Sequence, residues 1–211
     1  LTGANGFLGS HILDALLKKG YKVIILKRSS SNIFRIQENI NSVTSYDVDI
    51  QPLDLAFIEQ KIDIVIHCAG RYGRDGCSIL KMIETNVIFG MKLLEACQKN
   101  NVSTFINMDT LLQSSVNNYS LSKKHFSDWL SQYFNGMQII NMKLEHMYGT
   151  KDDDKKFINW TLSQLRNNVA AIKLTLGEQK RDFVYVSDVV SAILILVYKK
   201  DDLPEFSEFE V

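Results

Sequence analysis

Short, nearly continuous runs of apolar residues alternate along the chain with segments in which apolar residues recur every three or four positions. The first pattern is typical of parallel strands covered on both faces, and the second of amphipathic helices. The predicted strands are Tyr21–Leu26, Ile62–Cys68, Thr104–Met108 and Gln138–Lys143. The predicted helices between them are Phe7–Lys19, Ile79–Gln98 and Tyr119–Phe134. This alternation predicts an α/β fold built on a doubly wound parallel sheet.

The pattern changes after Gly149. A cluster of charged residues at positions 151–156 predicts a solvated loop or the start of a helix. A helix, a short strand and a strand–helix unit are predicted next, at Phe157–Leu165, Ile172–Leu174 and Asp182–Tyr198. The last residues, Glu208–Val211, alternate apolar and acidic side chains as a strand does, and we expect this strand to continue beyond them.

The composition of the 211-residue chain is that of an ordinary globular protein, with 45% hydrophobic and 23% charged residues. Its 24 basic and 24 acidic residues balance, which argues against nucleic acid as the main partner. No apolar run is long enough to cross a membrane. Cys68, Cys77 and Cys97 form no closely spaced motif, so we expect reduced thiols in a cytoplasmic protein. The histidines show no ligand spacing, and we predict no metal site.

Gly3, Gly6 and Gly9 recur at intervals of three residues at the start of the first predicted helix. Glycines at this spacing let the backbone turn tightly and approach a pyrophosphate, which the helix N-terminus attracts. Three glycines are also compatible with a simple turn, but their place in a strand–helix alternation favours a dinucleotide site in a Rossmann fold. Such a loop follows the central strand of the sheet, and only Leu1 and Thr2 precede it here. We therefore expect the natural chain to begin several residues earlier.

The turn after Tyr21–Leu26 bears on the choice of cofactor. It contains Lys27, Arg28 and several serines, among them Ser29, but no carboxylate. An acidic residue at this point hydrogen-bonds the ribose 2′-hydroxyl of NAD, whereas cations and hydroxyl groups suit the 2′-phosphate of NADP. The turn therefore favours NADP over NAD, and the alternative interpretation is a basic turn that faces solvent.

Tyr119 and Lys123 lie four residues apart on a predicted helix, so their side chains share a face. A nearby ammonium lowers the pKa of a tyrosine, which can then exchange a proton near neutral pH. Thr110 follows a predicted strand, where its hydroxyl can bind the same substrate oxygen. The alternatives are a solvated helix face for the pair and an ordinary turn for Thr110, with Asp109 as a cap.

These motifs resemble, in order and over nearly the whole chain, the extended short-chain dehydrogenase/reductase family, also called the NAD-dependent epimerase/dehydratase family. The segments that carry the resemblance are Thr2–Gly9 (dinucleotide loop), Asp63–Ala69 (fourth strand), Asn86–Val87 and Leu93–Ala96 (the following helix), Tyr119–Lys123 (catalytic pair), Tyr148–Gly149 (the turn after the sixth strand) and Arg181–Val189 (a late signature). Thr110 falls where the family has its catalytic serine or threonine. In this family the position of His67 is mostly structural.

The resemblance implies a role for each matching residue. The catalytic residues it implies are Thr110, Tyr119 and Lys123. The cofactor contacts it implies are Gly3, Asn5, Gly6, Phe7, Leu8, Gly9, Lys27, Arg28, Ser29, Asp47, Val48, Cys68, Ala69, Gly70, Asn86, Tyr119 and Lys123. Arg181 is expected to contact the diphosphate of a nucleotide sugar. On the loop 70–77, the residues Arg71, Tyr72 and Arg74 are candidates for substrate contact or, equally, parts of a polar surface turn.

The resemblance also implies a domain division and an assembly. Residues 1–145 correspond to the dinucleotide-binding domain, and residues 146–211 to part of a small, truncated substrate-binding region. The helices Ile79–Gln98 and Tyr119–Phe134 match a pair that forms a dimer interface in many members, so a homodimer is expected. Their apolar residues, which include Leu94, Phe126, Trp129 and Tyr133, are alternatively part of the core.

One departure from the family narrows the reaction. Sugar 4,6-dehydratases place an Asp-Glu pair after the catalytic threonine, whereas Leu111 and Leu112 follow Thr110 here, which argues against dehydration. The favoured function is the NADPH-dependent reduction of a nucleotide-activated 4-keto sugar, with Tyr119 as proton donor. The alternatives are an NAD-dependent nucleotide-sugar 4-epimerase and a non-catalytic dinucleotide-binding sensor or scaffold.

Overall fold

A computed structural model of the chain describes residues 1–73, 76–132, 136–178 and 180–211. The strands are β1 (Ile24–Lys27), β2 (Thr44–Asp47), β3 (Ile64–His67), β4 (Thr104–Thr110), β5 (Gln138–Leu144), β6 (His146–Tyr148), β7 (Phe183–Tyr185) and β8 (Phe206–Glu210). The α-helices are α1 (Phe7–Lys18), α2 (Leu55–Glu59), α3 (Ile79–Ile83), α4 (Phe89–Lys99), α5 (Asn118–Leu130), α6 (Phe157–Arg166) and α7 (Val186–Lys199). A π-helical turn, Glu84–Ile88, joins α3 to α4.

The main sheet is parallel, with β3, β4, β5 and β8 adjacent in that order and β1 paired with β2. Leu1 and Thr2 lie between the two groups of strands, because Thr2 pairs with Leu26 on one side and with His67 on the other. The residues before the glycine loop therefore hold the central position of the sheet, as the sequence predicts. The sheet is doubly wound, so the predicted fold class is confirmed.

Helices cover both faces of this sheet. On one face α1 and α7 pack over a cluster that includes Ile12, Leu13, Ile25, Ile106, Ile140 and Ile193. On the other face α4 and α5 pack over a cluster that includes Leu93, Leu94, Phe105, Phe126, Leu130 and Ile139. Successive strand residues alternate between the faces, and burying each side chain of this size stabilises the fold by roughly 1.5–3 kcal/mol. The nearly continuous apolar strands follow from this double coverage.

Local sequence sets the ends of α1. The helix begins at Phe7, directly after the glycine loop, and the residue after its last turn is Gly20 with φ +80°. The amide of Gly20 donates to the Leu17 carbonyl at 3.0 Å and that of Tyr21 to the Leu16 carbonyl at 3.1 Å. These are the two hydrogen bonds of a Schellman motif, which requires the left-handed backbone that glycine adopts without strain.

Two predicted elements differ from the structure, and the strand β2 was not predicted. The predicted strand Ile172–Leu174 is wrong, because these residues pair with no strand among those described and Leu174 is largely exposed. β6 pairs with β7 instead, in parallel. The long helix predicted over Ile79–Gln98 is interrupted by the π-helical turn. β2 has only one buried residue and no apolar run, so its sequence carries no strong strand signal.

Residues 146–211 contribute to two parts of the structure, the main sheet with its covering helices and a separate two-stranded sheet. β6, α6 and β7 lie outside the main sheet, whereas β8 extends that sheet beside β5 and α7 packs on α1. The predicted helix start near the charged cluster is present, since Lys156 precedes α6 and pairs with Asp152 at 2.8 Å. None of the helices within the described ranges combines the length and the apolar character needed to span a bilayer.

Candidate active site

The glycine loop packs directly against the end of β3. Gly3 has φ +66°, and a Cβ added there would lie 2.7 Å from the main-chain nitrogen of Ala69. A Cβ on Gly9 would lie 2.1 Å from the carbonyl oxygen of Gly3, so the helix can approach the loop this closely only with glycine. The first turn of α1 carries no acidic residue. The loop thus leaves a helix N-terminus free for an anion, which fits a dinucleotide pyrophosphate.

Thr2 ties the loop to β3. Its Oγ1 accepts a hydrogen bond from the Ala69 amide at 3.1 Å and is hydrogen-bonded to His67 Nδ1 at 2.8 Å. The His67 ring is fully buried beside the rings of Phe105 and Phe126. Burial, reinforced by the charge of Lys123, lowers the pKa of His67 to about 3. His67 is therefore neutral and has the structural place that the sequence predicts.

A carboxylate from β2 reaches the basic turn after β1. Asp47 lies 3.5 Å from the Lys27 ammonium and accepts a hydrogen bond from the Ser29 hydroxyl at 2.8 Å. Burial opposes its ionisation, but hydrogen bonds from Ser29 and Asp49, with the Lys27 charge, hold the pKa of Asp47 below its usual range. Arg28 is exposed. The turn is therefore less basic than its own residues predict, because the second strand supplies a neighbour that the first strand lacks.

The loop after β3 is fixed by Asn86. The Arg71 amide donates to Asn86 Oδ1 at 2.7 Å, and Asn86 Nδ2 donates to the Arg71 carbonyl at 3.0 Å. Asn86 Nδ2 also donates to Ser122 Oγ at 2.9 Å, which joins the loop to α5. Asn86 is fully buried in the π-helical turn, a feature frequent at functional sites. Gly70 lies beside it, and Arg74 is outside the described residues.

The three predicted catalytic residues come from β4 and α5. Thr110 is the last residue of β4, and its Oγ1 accepts a hydrogen bond from the Leu112 amide at 3.3 Å. Tyr119 and Lys123 lie one turn apart on α5. The helix starts just before Tyr119 because Asn117 and Ser120 form a capping box, in which Asn117 Oδ1 accepts from the Ser120 amide at 2.9 Å. A local sequence signal thus sets the position of Tyr119.

The electrostatic surroundings of Tyr119 differ from the expectation. Burial, followed by the neighbouring Tyr72 and the charge of Asp109, raises the pKa of Tyr119 well above its ordinary value. The rings of Tyr72 and Tyr119 lie 4.5 Å apart between centroids. The sequence predicts a lowered pKa for Tyr119, whereas the structure gives the opposite direction, because loss of solvent around the phenol is the largest effect.

The buried Lys123 is itself perturbed. It is 2% exposed, and burial lowers its pKa, an effect that the charges of Asp109 and Cys68 oppose. Cys68 is not a free thiolate, since burial raises its pKa to about 12. Of the two groups that oppose this shift, Asp109 is therefore the carboxylate.

Sequence reasoning missed a row of buried polar residues beneath this site. Asn107 and Asn141 are fully buried register partners on β4 and β5, and Asn107 Nδ2 donates to Asn141 Oδ1 at 2.8 Å. Asn141 Nδ2 shares its two hydrogens among three acceptors, Asp109 Oδ2 at 3.1 Å, Ser127 Oγ at 3.0 Å and Glu208 Oε2 at 2.9 Å. The signal in the sequence is that Asn107 and Asp109 lie two positions apart on β4, so these two polar residues share one face of the strand.

Arg181 lies apart from these groups, just before β7. Its Nη1 donates to His146 Nε2 at 2.7 Å, and His146 Nδ1 is hydrogen-bonded to Glu145 Oε2 at 2.9 Å. The ring of His146 also packs edge-on against Phe183. Neighbouring residues of β6 therefore hold the guanidinium in place. Within the ranges that the structure describes, no group of three or more His, Cys, Asp or Glu side chains is arranged to hold a metal ion.

Comparison with known proteins identifies the family. The model of the NAD-dependent epimerase/dehydratase family matches residues 1–211. The CDP-abequose synthase of Salmonella typhimurium is 32% identical over 221 residues, covering 100% of this chain and 73% of that protein. A dTDP-D-glucose 4,6-dehydratase of Dictyostelium discoideum is 28% identical over 238 residues, covering 94% of this chain and 55% of that protein.

Solved structures show the same fold. The UDP-glucose 4-epimerase of Thermotoga maritima superposes with a TM-score of 0.84 at 22% identity, covering 100% of this chain and 75% of that one. The UDP-glucuronic acid 4-epimerase of Bacillus cereus, in complex with NAD, has a TM-score of 0.84 at 23% identity, covering 99% of this chain and 75% of that one. The chain therefore belongs to the NAD-dependent epimerase/dehydratase family and is a nucleotide-sugar enzyme of the extended short-chain dehydrogenase/reductase type.

Proposed function

We propose that the protein reduces the 4-keto group of a nucleotide-activated sugar with NADPH. The observation that carries this proposal is the match over the whole chain, at 32% identity, with a CDP-abequose synthase. Reduction of a carbonyl requires a proton donor at its oxygen, and the phenol of Tyr119 on α5 is the group we assign to this task.

Each catalytic residue has one task in this proposal. Tyr119 donates its phenolic proton to the carbonyl oxygen as the alcohol forms. Thr110, at the end of β4, donates a hydrogen bond to the same oxygen and orients it. Lys123 supplies a positive charge beneath the phenol and binds the nicotinamide ribose. Leu111 and Leu112 offer no acid–base group for an elimination, so the reaction stops at the alcohol.

The loop and the strand ends would hold the cofactor, which supplies the hydride when bound. The glycine loop and the N-terminus of α1 would bind the pyrophosphate, and Ala69 and Gly70 would lie along its backbone side. Lys27 is paired with Asp47, so Arg28 is the cation we assign to the 2′-phosphate of NADP. Asn86 acts through the loop that it fixes, next to the expected cofactor contacts.

The substrate would enter from the second part of the chain. We propose that residues 146–211 contribute the sugar-nucleotide site, although β8 also extends the main sheet and α7 packs on α1. Arg181, held by His146, would pair with the diphosphate as a charge-assisted contact. Tyr72 rests on the ring of Tyr119 and would border the sugar. Since the relatives named above include a CDP-sugar synthase, a cytidine diphosphate sugar is the first substrate to test.

A second candidate is an NAD-dependent nucleotide-sugar 4-epimerase. The ion pair between Lys27 and Asp47 favours it, because this pair removes positive charge from the position of a 2′-phosphate. The same catalytic residues would serve, with the tightly held cofactor regenerated in each cycle. A sensor or scaffold that binds the dinucleotide without turnover is the remaining alternative.

The test is a spectrophotometric assay of the purified protein with NADPH and a CDP-linked 4-keto sugar, followed by mass spectrometry of the sugar. We expect one NADPH to be consumed for each sugar reduced, Tyr119→Phe to abolish turnover, and the exposed control Tyr198→Phe to leave it unchanged. Interconversion of UDP-glucose and UDP-galactose without added cofactor identifies the epimerase. Cofactor binding without hydride exchange across a panel of sugar nucleotides identifies the sensor.

We also propose that the protein forms a homodimer through α3 and α5, which pack against each other. Leu80 and Ile83 on α3, and Leu121 and Trp129 on α5, are exposed apolar residues, and the latter two lie on one stripe of the helix. Leu94 and Phe126, which the sequence also suggests for this interface, are fully buried and belong to the core. Tyr133 lies outside the described residues.

A further inference from the structure

Asp109 is a buried acidic residue immediately before the catalytic Thr110. It is 6% exposed and lies on β4, two residues after Asn107 and therefore on the same face of the strand. Helix α5 packs over this face, as the contact of Asn141 with Ser127 shows. A carboxylate is rarely buried unless it is paired or hydrogen-bonded, so its place here needs a physical reason.

Hydrogen bonds fix both oxygens of the Asp109 carboxylate. Oδ1 accepts from the Thr110 amide at 2.8 Å, and Oδ2 accepts from Asn141 Nδ2 at 3.1 Å. Asn141 is held from several directions by the row of buried polar residues described above. The register partner of Asp109 on β5 is Lys143, whose ammonium lies 2.9 Å from Glu208 instead. The carboxylate is thus anchored to the sheet without a direct ion pair among the described residues.

Lys123 is a buried cation on α5, one helical turn before the buried Ser127, so the two side chains share a face of the helix. Asn141 Nδ2 is hydrogen-bonded both to Ser127 Oγ and to Asp109 Oδ2, which places that face over Asp109. Lys123 has no ion pair among the described residues. The titratable groups that act on it electrostatically are Asp109 of β4 and, at the end of β3, Cys68 and His67. Cys68 and His67 are neutral at physiological pH, as their shifted pKa values show. Asp109 is therefore the one anionic group among these three, and an isolated buried ammonium would otherwise be strongly disfavoured.

We propose that Asp109 is a positioning residue of the reaction, whose anchored carboxylate is the buried counter-charge that keeps Lys123 an ammonium beneath Tyr119. The proposal rests on the function proposed above for Lys123 and Tyr119. Asp109 does not contact the substrate in this scheme, and it acts through Lys123. Because the Asp109 carboxylate also accepts a hydrogen bond from the Thr110 amide, it fixes the end of β4 that carries the third proposed catalytic side chain.

The proposal predicts how charge removal changes the enzyme. In Asp109→Asn the shape is kept and the charge is lost, so the pKa of Lys123 falls. Activity that requires the ammonium is then lost at lower pH than in the wild type, and turnover at neutral pH falls by about 10-fold. A merely structural role would lower turnover by the same factor at every pH. Asp109→Glu keeps the charge and retains the wild-type position of the alkaline limb.

A titration of Lys123 itself tests the proposal without any assay of activity. The side-chain ε-carbons of lysine are labelled with carbon-13 and followed by NMR against pH, with the Lys123 signal assigned by its absence in Lys123→Met. We expect the titration midpoint to lie lower in Asp109→Asn than in the wild type, and to stay at the wild-type value in Asp109→Glu. The control Asp128→Asn removes an exposed carboxylate of α5, paired with Lys124, and leaves midpoint and turnover unchanged.

The outcomes separate the two proposals. An unchanged midpoint in Asp109→Asn overturns the role of Asp109, whatever the enzyme reduces. A lowered midpoint in a protein that reduces no keto sugar supports the role of Asp109 and contradicts the proposed function. If Asp109→Asn does not fold, the Asp109→Glu titration decides, since a midpoint that falls although the negative charge is retained overturns the proposal.

Discussion

Asn86 holds Arg71 by both main-chain groups, accepting from its amide at 2.7 Å and donating to its carbonyl at 3.0 Å. The two residues are fifteen positions apart, so the contact ties the start of the loop after β3 to the π-helical turn after α3. The same amide group reaches Ser122 on the helix of the catalytic pair. The loop that would border the substrate is therefore anchored to the residues that would perform the chemistry.

Asn86→Ala should release this loop. We expect the KM for the sugar nucleotide to rise by about 10-fold, because positioning of the loop is lost, while kcat falls less. The free energy of unfolding in urea should fall by roughly 1–3 kcal/mol, since buried main-chain groups lose their partners. The exposed control Asn167→Ala should change neither quantity. An unchanged KM in Asn86→Ala would show that the loop has no part in binding.

Gly9→Ala should prevent the loop from packing on its helix. The added Cβ would lie 2.1 Å from the Gly3 carbonyl oxygen, a backbone atom that cannot move aside. We expect loss of dinucleotide binding by calorimetry and a fall in stability of about 2 kcal/mol or more. Gly70→Ala is the matched control for stability alone, because its nearest neighbour would be Asn86 Oδ1 at 3.8 Å while Gly70 itself borders the expected cofactor site. Equal stability of the two variants would contradict the close approach at Gly9.

Arg28→Ala should reduce the preference for NADP. Lys27 is already engaged by Asp47, so Arg28 is the cation assigned to the 2′-phosphate. We expect the affinity for NADPH to fall by about 10-fold with little change for NADH, because a charge-assisted contact contributes about 1.5–3 kcal/mol at most. The exposed control Lys19→Ala should alter neither affinity. Equal binding of both cofactors by the wild type would sink the assignment.

The buried His67 should make the fold sensitive to acid. Its pKa is about 3 in the folded protein, against 6.5 in the unfolded chain. Between these pH values the unfolded chain binds a proton that the folded protein does not, so the free energy of unfolding falls as the pH falls. The loss attributable to His67 should reach several kcal/mol, roughly 1.4 kcal/mol for each pH unit in this window.

Urea unfolding at a series of pH values measures this effect. Between about pH 6 and about pH 4, the free energy of unfolding should change less steeply with pH in His67→Asn than in the wild type. The exposed His125→Gln should keep the wild-type slope. A wild-type slope in His67→Asn would mean that carboxylates alone account for the acid sensitivity.

Trp129→Glu should weaken the proposed dimer. Trp129 is exposed on α5 and in line with Leu121, so a charge there opposes burial against a second copy. Light scattering should show a monomer for the variant and a dimer for the wild type. Tyr198→Glu, at an equally exposed aromatic residue on α7, should remain dimeric. A monomeric wild type would contradict the proposed homodimer.

Several features of the site could be predicted from local sequence. The glycine loop, the start of α5 and the pairing of Tyr119 with Lys123 depend on residues that are close in the chain, and the structure retains all three. The parallel sheet covered by helices follows from the alternation of strand and helix. The short β-strand at Thr44–Asp47 could not be predicted, since its stability comes from pairing with β1 and not from its own composition.

The sequence by itself determined the family and the doubly wound fold and pointed to candidate catalytic side chains, because these depend on short motifs and on hydrophobic periodicity. Only the tertiary structure decided their electrostatics. Parallel crossovers bring the ends of distant strands together, so Asp47 pairs with Lys27 and the charge of Asp109 acts on Lys123. Burial, followed by Tyr72 and the charge of Asp109, raises the pKa of Tyr119, where the helix spacing of Tyr119 and Lys123 alone predicts a lower pKa.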